Sequence, residues 1–333
     1  MSSLIVEVCK IDDVRPHPNA ERLELAIVKG WQCVVGKGHF KQGDTITYIP
    51  IDSVLPVELS DKIGVTKYLS NGRVRCARLR GEPSFGVIDV PHGEVGENVA
   101  SKLGITKYAP PLKLSAGDAE SPHPLFDAYT DIENMRNFTD VFIAGEPVVG
   151  TEKIHGTNSR IGIVTNEDGQ RIHVAGSKGV QRQYADNSTY WYPWKIPAVV
   201  AMMEAVSAGH KQTIMYGEVY GKVQSLRYGL PQGIAYRAFD IKRDGRYMDP
   251  GEFADTCAEF GVQRCPVLYS GPFDIASIRS ASEGPSLIPG ADNIREGIVV
   301  RPMRERTHPS VGRVILKYVS DAYLLGDNDD AGE

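Results

Sequence analysis

The chain has 333 residues, 41% of them apolar, with 37 Lys/Arg against 42 Asp/Glu and a net charge of −5. This is the balance of a folded protein long enough for two cored domains, and it excludes a global basic field, so any polyanion-binding surface has to be local. Five scattered cysteines without a Cys-x-x-Cys pair argue against a zinc site or a disulfide framework.

In chain order, the start (Met1 to Val8) lacks a basic segment followed by a long apolar one, so neither a signal peptide nor a membrane span is expected, and the protein is expected in the cytoplasm. Residues 1–110 read as short strands punctuated by Gly, Asp and Pro, among them Cys33–Val35, Thr45–Ile49 and Gly86–Val90. That spacing predicts a small β-barrel. This half is near neutral, with 14 Lys/Arg and 13 Asp/Glu. Within it, Arg73 to Arg80 predicts a basic strand with Arg73 and Arg75 on one face, suited to phosphate contacts or to a solvated edge. Gly64-Val65-Thr66-Lys67-Tyr68 recurs as Gly104-Ile105-Thr106-Lys107-Tyr108, a repeated local turn.

Residues 111–126, rich in Pro, Ser, Ala and Gly, read as a linker. A second domain is expected over 127–325, with a short helix over Asp127–Phe138, helices over Ile196–Ser207 and from Asp249-Pro250, and an acidic tail at 326–333. The chemistry concentrates there. Lys153 lies in Thr151-Glu152-Lys153-Ile154-His155-Gly156-Thr157-Asn158, a polar corner between two apolar strands. A lysine at such a corner is either an exposed turn residue or a nucleophile facing a cleft, since a desolvated amine beside other cations loses its proton more readily. Four segments follow: Met215-Tyr216-Gly217-Glu218-Val219-Tyr220-Gly221, Tyr236-Arg237-Ala238-Phe239-Asp240-Ile241, Arg295-Glu296-Gly297-Ile298-Val299-Val300, and Arg313-Val314-Ile315-Leu316-Lys317-Tyr318.

These five segments in this order resemble the motifs of the covalent nucleotidyltransferases, the ATP-dependent ligases and RNA capping enzymes, and are most similar to the nick-sealing RNA ligases. His155 stands where DNA ligases carry Asp and Asn158 where they carry Arg, which favours RNA over DNA. The stretch from His17-Pro18-Asn19 to Leu25 also resembles the opening of tRNA-binding OB-type domains, although His-Pro-Asn is equally a turn. Together the resemblances imply an α+β protein: an N-terminal OB-like β-barrel, then a mixed α/β nucleotidyltransferase (ATP-grasp-like ligase) domain with antiparallel sheets. Sixteen residues follow Lys317, too few for the downstream OB domain of DNA ligases.

The resemblance implies joining of RNA ends by ATP through lysyl-AMP, with Mg²⁺ or Mn²⁺ and an RNA partner, nicked or broken, paired with RNA or DNA. Lys153 would be the nucleophile and Lys317 an α-phosphate contact. Glu152 would contact adenine, partly through its backbone, Phe239 would stack on it, and Asn158 would reach the ribose. Glu218 would hold ribose or a metal-bound water, Glu296 a metal, and His155 a metal water or the substrate phosphate. Lys178 or Arg182 would meet the nick phosphate, and Arg160 would face the site or solvent. Val319 stands where such ligases often have a second lysine. The alternatives are a DNA ligase or capping-type nucleotidyltransferase, a non-enzymatic RNA-binding protein, and a structural α/β protein.

Overall fold

The computed structural model describes residues 3–109 and 118–326. The chain divides into two compact units, Met1–Leu112 with Leu324–Glu333, and Lys113–Tyr323. No helix among the described residues is long and apolar enough to cross a membrane.

The first unit is built from short antiparallel strands. Thr45–Pro50 is the centre of one sheet, flanked by Glu7–Lys10 and Gly86–Asp89, and Asp13–Pro16, Leu23–Val28 and Trp31–Gly36 form a meander. In Trp31–Gly36 every second side chain is buried (Trp31, Cys33, Val35), as a strand with one face on a core requires. The expected basic strand is smaller than its sequence suggests, since only Ala77–Leu79 is a strand. Arg73 is buried, donates through Nε and Nη2 to Asp52, and lies 3.7 Å over the Tyr108 ring. A guanidinium so committed supports the unit's own packing rather than offering a phosphate contact. His17 accepts at Nδ1 from the Asn19 N–H and approaches the Leu79 carbonyl through Nε2, so His-Pro-Asn is a turn that pins the 77–84 hairpin. The recurring Gly-x-Thr-Lys-Tyr also has a local cause. Gly64 and Gly104 both take positive φ (73° and 65°), and the next residues, Val65 and Ile105, donate back to Ser60 and Ala100. Both copies end a helical turn with the same left-handed glycine cap.

The second unit is two facing sheets with helices outside them. One sheet has seven strands, in the order Ala119–Glu120, Gln181–Arg182, Arg171–Gly176, Thr157–Thr165, Gln212–Gly221, Ile234–Arg243, Arg246–Tyr247. The other has five: Glu133–Asn134, Leu316–Val319, Gly297–Pro302, Pro147–Lys153, Val267–Pro272. All these pairings are antiparallel except the parallel one of Glu133–Asn134 with Leu316–Val319. Helices Pro197–Val206 and Pro250–Phe260 cover one face of the large sheet, where Met202, Met203 and Phe253 pack on Ile161, Met215 and Ile241. Helix Ile275–Ser282 covers the smaller sheet through Ile278, against Val148, Ile298 and Leu316. The remaining faces meet through Val164, Ile214 and Tyr216 on one side and Val299 and Ile315 on the other.

Both expected helices form close to their predicted limits, each with Pro in the first turn. Asp249 precedes the second without capping it: its carboxylate accepts instead from Arg304 and the Glu305 N–H. The helix expected over Asp127–Phe138 is absent. That stretch makes the strand Glu133–Asn134 and one 3₁₀ turn, Met135–Asn137, because Glu133 pairs in the sheet and the Asn134 side chain caps the turn at Arg136 N. Of the stretch 111–126 read as linker, residues 111–117 lie outside the described residues, while Ala119–Glu120 extends the large sheet and Phe126 is buried. The tail from 327 onward also lies outside them.

Candidate active site

Pro147–Lys153 and Thr157–Thr165 are consecutive strands that belong to different sheets. The corner Ile154-His155-Gly156 is therefore a crossing from one sheet to the other, and not a hairpin. Strand alternation then decides which side chains face inward. Lys153 is directly opposite Gly297, Thr151 is opposite Val299, and Val299 is opposite Lys317. Opposed residues share a face and so do residues two apart, so Lys153, Thr151, Val299 and Lys317 all project from the inner face of the small sheet. On the large sheet Asn158 is opposite Glu218, and Arg160 is opposite Tyr216. These also face inward, since Ile161 and Ile163 face the helices.

Lys153 Nζ is 2.5 Å from Glu296 Oε1, with the lysine side chain 21% exposed and the glutamate 5%. This is a nearly dry ion pair whose lysine keeps an opening. Glu296 is delivered by the backbone of the neighbouring strand: a Cβ on Gly297 would lie 2.3 Å from the Tyr318 carbonyl oxygen, so only glycine allows the strands to approach here. Glu296 Oε2 is buried and has no hydrogen-bond partner among the described residues. Its neighbour is His155 Nδ1, at 3.9 Å. His155 is buried, with Nε2 3.1 Å from Ser225 Oγ and Nδ1 3.2 Å from the Tyr323 hydroxyl, while its backbone N–H donates to Tyr228 Oη at 2.7 Å. Burial pushes the Tyr228 hydroxyl far above its ordinary range, and Glu296, Glu152 and Glu218 all add to that rise.

The remaining candidates fall as follows. Asn158 Oδ1 is buried without a partner among the described residues. Phe239 sits where the pairing of Gln212–Gly221 with Ile234–Arg243 slips by one residue, the extra residue of a bulge, with its ring 4.9 Å from Tyr129. It touches both the inter-sheet cluster and the cluster of Ile154, Tyr228 and Ile288. Lys317 is buried. The Glu152 carboxylate accepts from Ser286 Oγ and the Leu287 N–H, so its side chain is taken up by the 286–287 loop. Arg160 reaches neither the site's opening nor solvent: it is buried, donates to the Ser177 and Phe126 carbonyls, and lies over the Phe126 ring. Arg182 is buried and paired with Asp118, whereas Lys178, at the turn, is half exposed and paired with Asp131. Of the two, Lys178 is the more accessible.

No group of three or more potential ligating side chains is assembled among the described residues. Glu296, with one buried oxygen open, and Glu218 suit a hard divalent ion that keeps its waters and takes further oxygens from phosphates, which needs only one or two carboxylates. Tyr228, Ser225 and Tyr323 carry no signal in the sequence, because their role is to hold His155 from 73, 70 and 168 residues away. Asp240 did carry one, an acid inside an apolar strand. It is fully buried and receives Arg301, Arg313 and Tyr129.

The tight corner makes a specific demand on Gly156. A Cβ there would lie 2.3 Å from the Val219 carbonyl oxygen and 2.9 Å from Glu218 Cγ. Gly156→Ala is expected to push Glu218 away from Asn158 and to destabilise the unit by about 1–3 kcal/mol, as overpacking does. Urea unfolding measures the second effect. An unchanged midpoint would show that the corner relaxes freely.

A family model described as RNA ligase matches residues 146–319, and an OB-fold domain model matches residues 5–91. Among solved structures, a lysine-to-alanine mutant of Naegleria gruberi RNA ligase with ATP and Mn is 24% identical, with TM-score 0.77, covering 96% of this chain and 98% of that one. The same ligase with PPi gives 24% and 0.77 over 97% and 98%, and a glutamate-to-alanine mutant with AMP and Mn gives 24% and 0.78 over 97% and 98%. This likeness shows the fold, an OB-fold domain followed by a ligase domain. No curated protein matches the chain.

Proposed function

Because the chain belongs to the RNA ligase family, we propose that it joins RNA 3′-hydroxyl to 5′-phosphate ends with ATP, through an AMP held on Lys153. The observation that carries this reading is the pairing of a partly exposed Lys153 with the buried Glu296 at the crossing between two sheets, with Asn158, Glu218, Phe239 and Lys317 on the surfaces around it.

The chain's own residues support three balanced steps. First, the neutral Lys153 amine attacks the α-phosphorus of ATP, so that a P–N bond forms, the bond to the bridging oxygen breaks, pyrophosphate leaves, and the nitrogen gives up a proton to water. Second, a 5′-phosphate oxygen of RNA attacks the same phosphorus, the P–N bond breaks, and Lys153 leaves as an amine that regains a proton, with a 5′–5′ phosphoanhydride formed. Third, a 3′-hydroxyl loses its proton, attacks the 5′-phosphate and expels AMP. Lys317 places positive charge against the phosphate where negative charge develops in the first step. Phe239 offers a ring face to adenine, and Asn158 Oδ1, without a hydrogen-bond partner among the described residues, an acceptor to a ribose hydroxyl. Of Lys178 and Arg182, the more accessible Lys178 would meet the 5′-phosphate at the nick by exchanging Asp131 for it.

Attack needs the neutral amine, and the charge that Lys153 meets in this structure is the Glu296 carboxylate, 2.5 Å away. Mg²⁺ or Mn²⁺ held through Glu296 and Glu218 would supply a competing positive charge and neutralise the phosphates. Mn is the ion that accompanies ATP or AMP in the Naegleria structures. The division of labour follows from the same reading: residues 1–110 bind RNA as an OB domain, and residues 127–325 carry the chemistry. All five cysteines are free, which suits a reducing cytoplasm.

The test is sealing of matched nicked duplexes in which the nicked strand is RNA or DNA, with ATP or GTP. ATP-dependent joining of RNA is expected. Equal joining of DNA would move the reading to a DNA ligase, and RNA binding without joining would leave only the binding protein.

A further inference from the structure

Glu296 divides its two oxygens: Oε1 takes Lys153, and Oε2 is buried with no hydrogen-bond partner among the described residues. An unsatisfied buried carboxylate oxygen is costly unless something keeps it for a ligand. His155 Nδ1 lies 3.9 Å from it. The same Nδ1 lies nearer, at 3.2 Å, to the hydroxyl of Tyr323. The two oxygens therefore compete for one ring nitrogen.

We propose that Tyr323 is a positioning residue: by donating its hydroxyl proton to His155 Nδ1, it keeps that nitrogen a pure acceptor and leaves Glu296 Oε2 open for a positively charged ligand. In this arrangement the imidazole proton sits on Nε2, which faces Ser225 Oγ at 3.1 Å. In the reverse tautomer an Nδ1–H would turn to Glu296 Oε2 and satisfy it internally. The placement of Tyr323 is itself tied to Glu296. Ser320 N–H donates to the Glu296 carbonyl, Ser320 Oγ donates to the Arg295 carbonyl, and Ser320 Oγ accepts the Tyr323 N–H. The residue before Glu296, Glu296 itself and the turn that presents Tyr323 thus form one clamp. The Tyr323 ring then leans on the imidazole at 5.6 Å and 58°.

The inference rests on the reading of Lys153 and Glu296 as the reacting pair, and its test is separable from that reading. Two-bond ¹H–¹⁵N correlation spectra of the full chain report the tautomer of each histidine, and His155→Gln identifies the signal of His155. Wild-type His155 is expected to be protonated on Nε2, and Tyr323→Phe is expected to shift it towards Nδ1. In parallel, the Mn²⁺ concentration that half-saturates the protein, read from the free Mn²⁺ electron paramagnetic resonance signal, is expected to rise about threefold to tenfold, the effect of one competing hydrogen bond. The adduct rate at saturating Mn²⁺ should stay within about threefold of wild type, a split that simple loss of packing would not give. Should Tyr323→Phe not fold, Ser225→Ala, at an exposed position, removes the Nε2 partner and should move the tautomer in the same direction. A wild-type His155 protonated on Nδ1, or an unchanged tautomer and Mn²⁺ requirement in Tyr323→Phe, would overturn the proposal. Failure of the wild type to bind AMP covalently would instead strike the underlying reading and leave the tautomer result standing.

Discussion

Lys153→Ala is expected to abolish covalent AMP and to reduce ATP-dependent joining by at least about 10⁴-fold, the scale of losing a covalent nucleophile. Fold and nucleotide pocket should survive, because the lysine side chain is partly exposed and the strand that carries it is held by neighbours on both edges. The substitution does strand Glu296 in the interior, where one oxygen already has no hydrogen-bond partner among the described residues, so some loss of stability is expected as well. Lys153→Met keeps the apolar stem and limits that loss. The informative comparison is an RNA whose 5′ end already carries AMP. The final attack by the 3′-hydroxyl does not need the amine, so the variant should still join this strand. Loss of that step too would mean that Lys153 acts by holding Glu296 or phosphate in place, and not as a nucleophile.

Asp240→Ala is expected to have the largest effect on stability, about 3–5 kcal/mol, the cost of removing one partner from a buried ion cluster. Asp240 accepts from Arg301 Nη1 at 3.0 Å, from the Tyr129 hydroxyl at 2.8 Å and from its own strand at Ile241 N, and pairs with Arg313 Nη2 at 2.7 Å. Arg313 is further held by Glu305 and stacks 3.5 Å over Tyr247. The cluster ties Ile234–Arg243 of the large sheet to Gly297–Pro302 of the small one, so it sets the gap in which the candidate site lies. Arg301 Nη2 also approaches the Phe239 carbonyl at 3.4 Å, and Tyr129 packs on the Phe239 ring. Asp240→Asn, which keeps the shape and loses the charge, should cost less and should raise the KM for ATP by loosening Phe239. Urea unfolding followed by far-ultraviolet circular dichroism measures the stability change. A shift under about 1 kcal/mol for Asp240→Ala would show that Glu305 alone balances both arginines.

What the sequence makes legible here is an order of segments and not single residues. Glu218 and Glu296 are ordinary carboxylates taken alone, and it is the five segments in sequence that single them out with Lys153 and Lys317, while alternation places Lys153 and Lys317 on one face once the strands are paired. The two helices are legible from their spacing and their prolines. What stays hidden depends on partners distant in sequence. Arg73 looks like a phosphate contact until Asp52 and Tyr108 close on it. Asp127–Phe138 has the composition of a helix, but the free edge of Leu316–Val319 draws Glu133 and Asn134 into a sheet. The partners of the Glu152 carboxylate, Ser286 and Leu287, lie 134 and 135 residues on. The shell around His155 is illegible for the same reason, since a tyrosine reveals nothing locally about the imidazole it will meet.

Whether Lys153 carries AMP is read from the intact mass of the protein after incubation with ATP and Mg²⁺ or Mn²⁺, with Lys153→Ala in parallel. An increment of one AMP is expected on the wild type, removed by added pyrophosphate, and none on the variant. An increment that persists in Lys153→Ala, or its absence from wild-type protein first shown to be free of AMP, would contradict that expectation.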